Sequence, residues 1–254
     1  MDISGQIAVI TGAASGMGAA TAKTLAKAGA TIAAIDLNLE AAQKTADETG
    51  GRAFGCDVSD AAGVEAVFKQ IAAEMGVPRI VVNCAGICPA ARVVGREEPH
   101  DLALFEKVLS VNLVGSFNVL RLAAAEMSKA DPVNADGENG VIINTASVAA
   151  FDGQIGQAGY AASKAGVVGM TLPIARELAR FGIRVITIAP GLIETPMLAG
   201  MPQDVHDSLV ATTLFPKRLG RPEEFAALVK HICENTLING ETIRLDGAVR
   251  LAPK

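Results

Sequence analysis

Seven short apolar runs, at residues 7–10, 31–36, 52–57, 79–84, 141–146, 183–189 and 241–246, alternate with helix-like segments at about 16–28, 39–49, 60–75, 102–129, 157–181 and 222–235. Such alternation predicts parallel strands joined by right-handed crossovers, because parallel neighbours cannot be linked by a tight turn. Runs such as Ile80-Val81-Val82 and Val141-Ile142-Ile143 show no polar alternation, so both faces of the sheet are expected to be covered. The pattern implies an α/β class: one doubly wound domain over residues 1–254, with a seven-stranded parallel sheet and helices on both faces. No repeat or linker divides it.

Three further expectations concern the connections. Residues 131–140 are polar, contain Pro132, Gly137 and Gly140, and read as an exposed connection. Residues from about 191 to 221 separate the sixth strand from the last helix and read as a lid with short helices of its own. Met197, Leu198, Met201, Leu209, Leu214 and Phe215 supply its apolar face. Pro173 stands inside a helical stretch and is expected to bend or break it.

The first strand runs directly into Thr11-Gly12-Ala13-Ala14-Ser15-Gly16-Met17-Gly18, and a stretch rich in helix formers follows. Strand, glycine-rich turn and helix in that order suit a dinucleotide. The glycines let a pyrophosphate approach the backbone, and the helix N-terminus offers free N–H groups to it. The spacing, Gly-x-x-x-Gly-x-Gly, differs from the usual Gly-x-Gly-x-x-Gly. The second strand ends at Asp36, 18 residues beyond Gly18, where a carboxylate accepts from ribose hydroxyls and repels a 2′-phosphate. No Lys or Arg lies between residues 28 and 43 to neutralise such a phosphate, so NAD is expected rather than NADP.

Tyr160, the only tyrosine, precedes Lys164 by one helical turn, and Ser147 lies thirteen residues upstream. A phenol normally ionises near pH ~10. An ammonium about 4 Å away at an effective dielectric of about 20 favours phenolate by up to ~4 kcal/mol, or roughly three pKa units. That shift would make Tyr160 a general acid or base near neutrality.

Composition narrows the alternatives. A net charge of −5 with no block of like charges lends nucleic-acid binding no electrostatic support. No run of 18 apolar residues suggests a membrane span, and the N-terminal residues show no secretory pattern. Cys56, Cys84, Cys88 and Cys233 read as reduced thiols of a cytoplasmic protein. With His100, His206 and His231 they form no metal-ligand spacing, so no metal is expected.

Together these residues resemble the short-chain dehydrogenases/reductases, members of the Rossmann class, along essentially the whole chain. Thr11 to Gly18 matches the family's cofactor loop, Asn83-Cys84-Ala85-Gly86 its Asn-x-Ala-Gly element, and Asn112, Ser147, Tyr160 and Lys164 its catalytic four. Pro190-Gly191 with Thr195 matches the segment over the nicotinamide. The resemblance implies that Tyr160 transfers the proton and Ser147 hydrogen-bonds the substrate oxygen. Lys164 lowers the Tyr160 pKa and binds the ribose, and Asn112 helps hold a relay water. It implies cofactor contacts at Gly12, Ser15, Gly16, Met17, Gly18 and Asp36, and at Asp57 near the adenine amine. Val58, Asn83, Ala85 and Gly86 are implied on the adenosine side; Pro190, Gly191, Ile193 and Thr195 belong to the nicotinamide segment.

Three stretches, 141–151, 166–176 and 239–248, are similar to the type-2 3-hydroxyacyl-CoA dehydrogenase subgroup. That similarity implies reversible, NAD-dependent oxidation of 3-hydroxyacyl-CoA by a homotetramer, with Gln157 beside Ser147 and Tyr160 at the substrate. Gln154 and the apolar residues of the lid are weaker candidates. Arg92, Arg96, Lys217 and Arg218 could meet CoA phosphates. The competing expectations are a steroid, polyol or other secondary-alcohol dehydrogenase, and a non-catalytic NAD-binding scaffold subunit.

Overall fold

A computed structural model describes residues 1–196 and 203–253. Its seven strands are β1 (Ile7–Thr11), β2 (Thr31–Asp36), β3 (Arg52–Gly55), β4 (Ile80–Asn83), β5 (Gly140–Thr145), β6 (Ile183–Pro190) and β7 (Thr242–Leu245). The helices are α1 (Gly16–Lys27), α2 (Leu39–Thr49), α3 (Ala61–Glu74), α4 (Leu102–Leu109), α5 (Ser116–Met127), α6 (Ala158–Leu178), α7 (Gln203–Thr212) and α8 (Pro222–Glu234). All strands pair in parallel in the order β3-β2-β1-β4-β5-β6-β7.

The continuous apolar runs serve two faces at once, because successive side chains on a strand point in opposite directions. Ile10, Ile80, Val82 and Ile143 face a core closed by Leu25 of α1 and by Phe225, Val229 and Ile232 of α8. Val9, Val81, Ile142 and Val185 face the opposite core, closed by Val64, Phe68 and Ile71 of α3 and by Val119 and Leu120 of α5. The strand order reverses between β1 and β4, where Thr11 pairs in register with Asn83. In open α/β sheets the crevice at the carboxyl ends of such strands is where ligands bind.

Three expectations change. The helical stretch 102–129 is two helices joined by a π-type turn over Ser110–Gly115, which carries Asn112. Residues Leu102–Met127 together have the length and mean hydropathy (1.5) of a membrane span, but 56 % of the most apolar window is buried in this fold. Pro173 does not break α6, which runs unbroken past it to Leu178. In a helix a proline ring crowds the carbonyl four residues back, here that of Gly169.

The connection 131–140 is not wholly exposed. Glu138 and Asn139 are buried, because Glu138 forms ion pairs with Arg184 (2.8 Å) and with the amino group of Met1 (3.1 Å). In the expected lid, α7 is the helix among the described residues, and Leu214 and Phe215 are exposed. Met197, Leu198 and Met201 lie outside the described residues.

Candidate functional site

A cavity of about 590 Å³ opens at the β1/β4 crevice. At one end lies the turn from β1 into α1. A Cβ on Gly18 would stand 2.1 Å from the Gly12 carbonyl oxygen, so the turn closes this tightly only with glycine there. Gly12 itself has φ +66°, and a Cβ on it would meet the Ala85 nitrogen at 2.8 Å. Thr11 ties the turn to β4, its hydroxyl accepting from the N–H groups of Cys84 and Ala85 at 3.2 Å. Ser15, at the start of α1, makes no side-chain cap, and no acid stands in the first turn. The helix therefore presents its N-terminal N–H groups and positive dipole end to the cavity without a competing anion, which fits a pyrophosphate.

Asp36 ends β2 on the same rim. Its carboxylate accepts from the N–H of Ala14 and of Asn38, both at 3.0 Å. It thus braces the glycine turn while still facing the cavity. Asp57 accepts from both the N–H (2.8 Å) and hydroxyl (2.6 Å) of Ser59, and Lys107 stands 3.5 Å away. Those hydrogen bonds first, and Lys107 less strongly, hold the Asp57 carboxyl below its ordinary range.

The other end holds Ser147, Gln154, Gln157, Tyr160 and Lys164. β5 delivers Ser147 just past Thr145, and α6 delivers Tyr160 and Lys164 one turn apart. Lys164 is buried, its ammonium donating to the Thr145 carbonyl at 2.7 Å and lying 5.8 Å from the Tyr160 ring centre. Burial pushes Lys164 down to about 8, against the pull of the Cys84 and Cys88 thiols. Burial likewise pushes Tyr160 up to about 12, with Cys88 adding to the rise and the Ser147 hydroxyl opposing it. Desolvation is thus the largest influence on the phenol, and the Lys164 ammonium is turned to a backbone carbonyl.

The cavity wall contains Gly12, Ser15, Gly16, Met17, Gly18, Asp36, Asp57, Val58, Ala85, Gly86, Pro190, Gly191, Ile193 and Thr195, as expected for cofactor contacts. Two expected residues stand behind that wall. Asn83 is buried and donates to Asn144 Oδ1 (2.9 Å) and to the Ser116 carbonyl (3.3 Å), so its side chain joins β4 to β5 and α5. Asn112 is fully buried. Its amide accepts from the Ile87 N–H (2.8 Å) and donates to the Ile87 carbonyl (2.9 Å) and the Ser163 hydroxyl (3.0 Å). It positions the segment after Gly86 against α6.

Arg218 is not free to meet a phosphate, because both its terminal nitrogens bond Glu224, at 2.7 and 2.8 Å. Arg92, Arg96 and Lys217 are exposed and stand outside the cavity wall. Leu209 of the expected lid lines the cavity, and Lys107, Cys56, Cys88 and Leu251 line it without having been expected there as site residues. No local motif marks them; Lys107 reaches Asp57 across 50 residues of chain.

Residues 6–206 match the family model described as short chain dehydrogenase. The chain is 49 % identical over 255 residues to 3-hydroxyacyl-CoA dehydrogenase type-2 of Bos taurus, covering 99 % of this chain and 97 % of that one. Its identity to the protein of the same description from Drosophila melanogaster is also 49 %, over 99 % of this chain and all of that one. Among solved structures, 3-hydroxyacyl-CoA dehydrogenase type-2 from Mycobacterium avium superposes with a TM-score of 0.93 at 41 % identity, covering 98 % of both chains.

Proposed function

The chain belongs to the short-chain dehydrogenase family, an oxidoreductase acting on CH–OH with a nicotinamide cofactor, and on that premise we propose that it interconverts 3-hydroxyacyl-CoA and 3-ketoacyl-CoA with NAD. The observation that carries the catalytic part is the convergence of Ser147, Tyr160 and Lys164 on the cavity that also receives the uncapped start of α1.

When bound, the nicotinamide supplies the two-electron donor or acceptor, and the residues of the chain bind, orient and move the proton. Tyr160 gives its proton to the ketone oxygen in reduction and takes it from the hydroxyl in oxidation. Ser147 hydrogen-bonds the same oxygen. The raised Tyr160 pKa keeps the phenol protonated at neutral pH, the form reduction requires. Oxidation requires phenolate, which the nearby Lys164 charge favours. Asp36 supports NAD over NADP, since it sets a negative charge at the rim beyond the glycine turn.

The substrate end supports a thioester arm. The cavity wall as a whole is mainly apolar, and at this end Gln157, with Gln154 tied beside it to Ala252, carries an amide that matches those of a pantetheine chain. The CoA phosphates then stay outside, where Arg92, Arg96 and Lys217 are exposed. A homotetramer is part of the proposal: Leu102, Val114 and Phe117 stand exposed along α4, the π-type turn and α5, an apolar face that association would cover. A tetramer in light scattering supports this, and a monomer removes it. The four free thiols suit the reducing cytoplasm to which we assign the protein.

The test is NADH oxidation by the pure protein with acetoacetyl-CoA and 2-methylacetoacetyl-CoA, beside free ketones and a ketosteroid. The reading requires efficient turnover of the thioesters. Turnover confined to free ketones or the steroid transfers the same machinery to another secondary alcohol. NADH binding with silence across the panel leaves the scaffold alternative.

A further inference from the structure

The last described residues cross the substrate end of the cavity as a strap. The Ile155 N–H donates to the Pro253 carbonyl and the Gln154 side chain to the Ala252 carbonyl, both at 3.0 Å. Leu251, between those ties and the core, enters the cavity wall with Gln154 and Gln157. Val249 is buried, and a Cβ on Gly191 would lie 3.3 Å from its side chain, so the strap rests on the segment leaving β6.

Arg244 of β7 anchors this geometry. It donates to Asp246 and Asp152 at 2.7 Å and to the Val249 carbonyl at 3.1 Å, and its guanidinium lies 5.2 Å from the Phe151 ring centre. Between Arg244 and the strap, Ala248 holds φ +64°, the one positive φ at a non-glycine among the described residues. A side chain is held in that region only where its surroundings over-determine it. Here the Asp246 carboxylate accepts from the Ala248 N–H (3.0 Å), and the Asp246 carbonyl from the Val249 N–H (3.1 Å).

We propose that this C-terminal strap is a specificity wall: Leu251 limits the length and branching of the substrate's carbon chain, and Arg244 is the residue that positions it. The proposal rests on the dehydrogenase reading above, but not on whether the carbon chain is carried as a thioester or as a free ketone. Its physical basis is ordinary. A methylene admitted to or refused by an apolar pocket is worth roughly tenfold or more in kcat/KM, and Leu251 presents the apolar surface that decides it.

The test measures kcat/KM with NADH for straight-chain 3-ketoacyl-CoA substrates of four to ten carbons, and for free methyl ketones of the same lengths, in the intact protein. Leu251→Ala should raise the ratio of long-chain to short-chain kcat/KM roughly tenfold, and Leu251→Phe should lower it. Arg244→Met should follow Leu251→Ala, while Arg244→Lys, which keeps a cation, recovers part of the original profile. A purely structural role would lower turnover of every length alike. Length profiles unchanged in both Leu251 variants, with thermal unfolding as in the parent, would overturn the proposal. Shifted profiles seen only with ketones uphold the strap and defeat the acyl-CoA reading, so the two fail separately.

Discussion

The ammonium of Lys164 donates to the carbonyl oxygen of Thr145 at 2.7 Å, in a site where the lysine is 5 % exposed. The fold has therefore buried a charge beside the reacting phenol and supplied it with a backbone acceptor. Catalytic sites commonly hold such groups at a cost to stability.

That cost has a pH signature. Burial lowers Lys164 from its ordinary 10.5 to about 8. Between these values the unfolded chain keeps a proton that the folded chain has released, so folding stability attributable to Lys164 rises with pH across the window. Below about pH 8 the penalty is fully present. Lys164→Met should be the more stable protein at pH 7, and urea-unfolding measurements should show the gap narrowing by roughly 3 kcal/mol on approach to pH 10. Tyr160, raised to about 12, acts in the opposite sense above pH ~10, where the unfolded tyrosine ionises first, so the scan ends there. Parallel curves from pH 7 to 10 would contradict the assignment.

Asp36 has two partners to lose. Asp36→Ala should weaken NADH binding roughly ten- to a hundredfold, the range for hydrogen bonds to a charged group. It should weaken NADPH far less, because repulsion of the 2′-phosphate goes with the carboxylate. Fluorescence titration with both cofactors reads the ratio. An unchanged ratio would mean that another residue selects the cofactor, with Asp36 serving only Ala14 and Asn38.

Glu138 and Arg184 form a buried pair, 5 % and 7 % exposed at the side chain, away from the cavity wall. Glu138→Leu should cost about 3 kcal/mol by leaving the guanidinium without its carboxylate. Combined replacement, Glu138→Leu with Arg184→Met, should cost less than the two single changes added. Denaturant midpoints of the four proteins give the coupling; additive losses would show that the Ile232, Cys233 and Ile238 carbonyls satisfy Arg184 without Glu138.

The sheet was legible because its apolar runs report burial on both faces, and Ile80 to Val82 and Val141 to Ile143 need no tertiary information to be read as strands. The glycine turn and the Tyr160–Lys164 pair were legible for the same reason: each is local, one in a turn and the other on one helical face. What was not legible depends on distant partners. Asn83 and Asn112 carry recognisable motifs, but only the fold shows their amides turned inward to Asn144 and Ile87. Arg218 looks like a phosphate ligand until Glu224, six residues on, folds back onto it. The Gln154–Ala252 tie that brings Leu251 to the cavity spans 98 residues, and no periodicity encodes it. The π-type turn at Ser110–Gly115 is invisible to a helical period, because its residues propagate the helix on either side.

The central claim is that Tyr160 moves the proton in a cavity that holds the cofactor without it. Its most direct test is Tyr160→Phe, with kcat/KM for the best substrate and the NADH dissociation constant measured on the same preparation. The phenyl ring fills the same space and lacks only the acid. The account predicts a loss of at least roughly 10²- to 10⁴-fold in kcat/KM, the range for a positioned general acid, with NADH affinity nearly unchanged. Turnover near that of the parent, or loss of NADH binding with the residual chemistry intact, would contradict it.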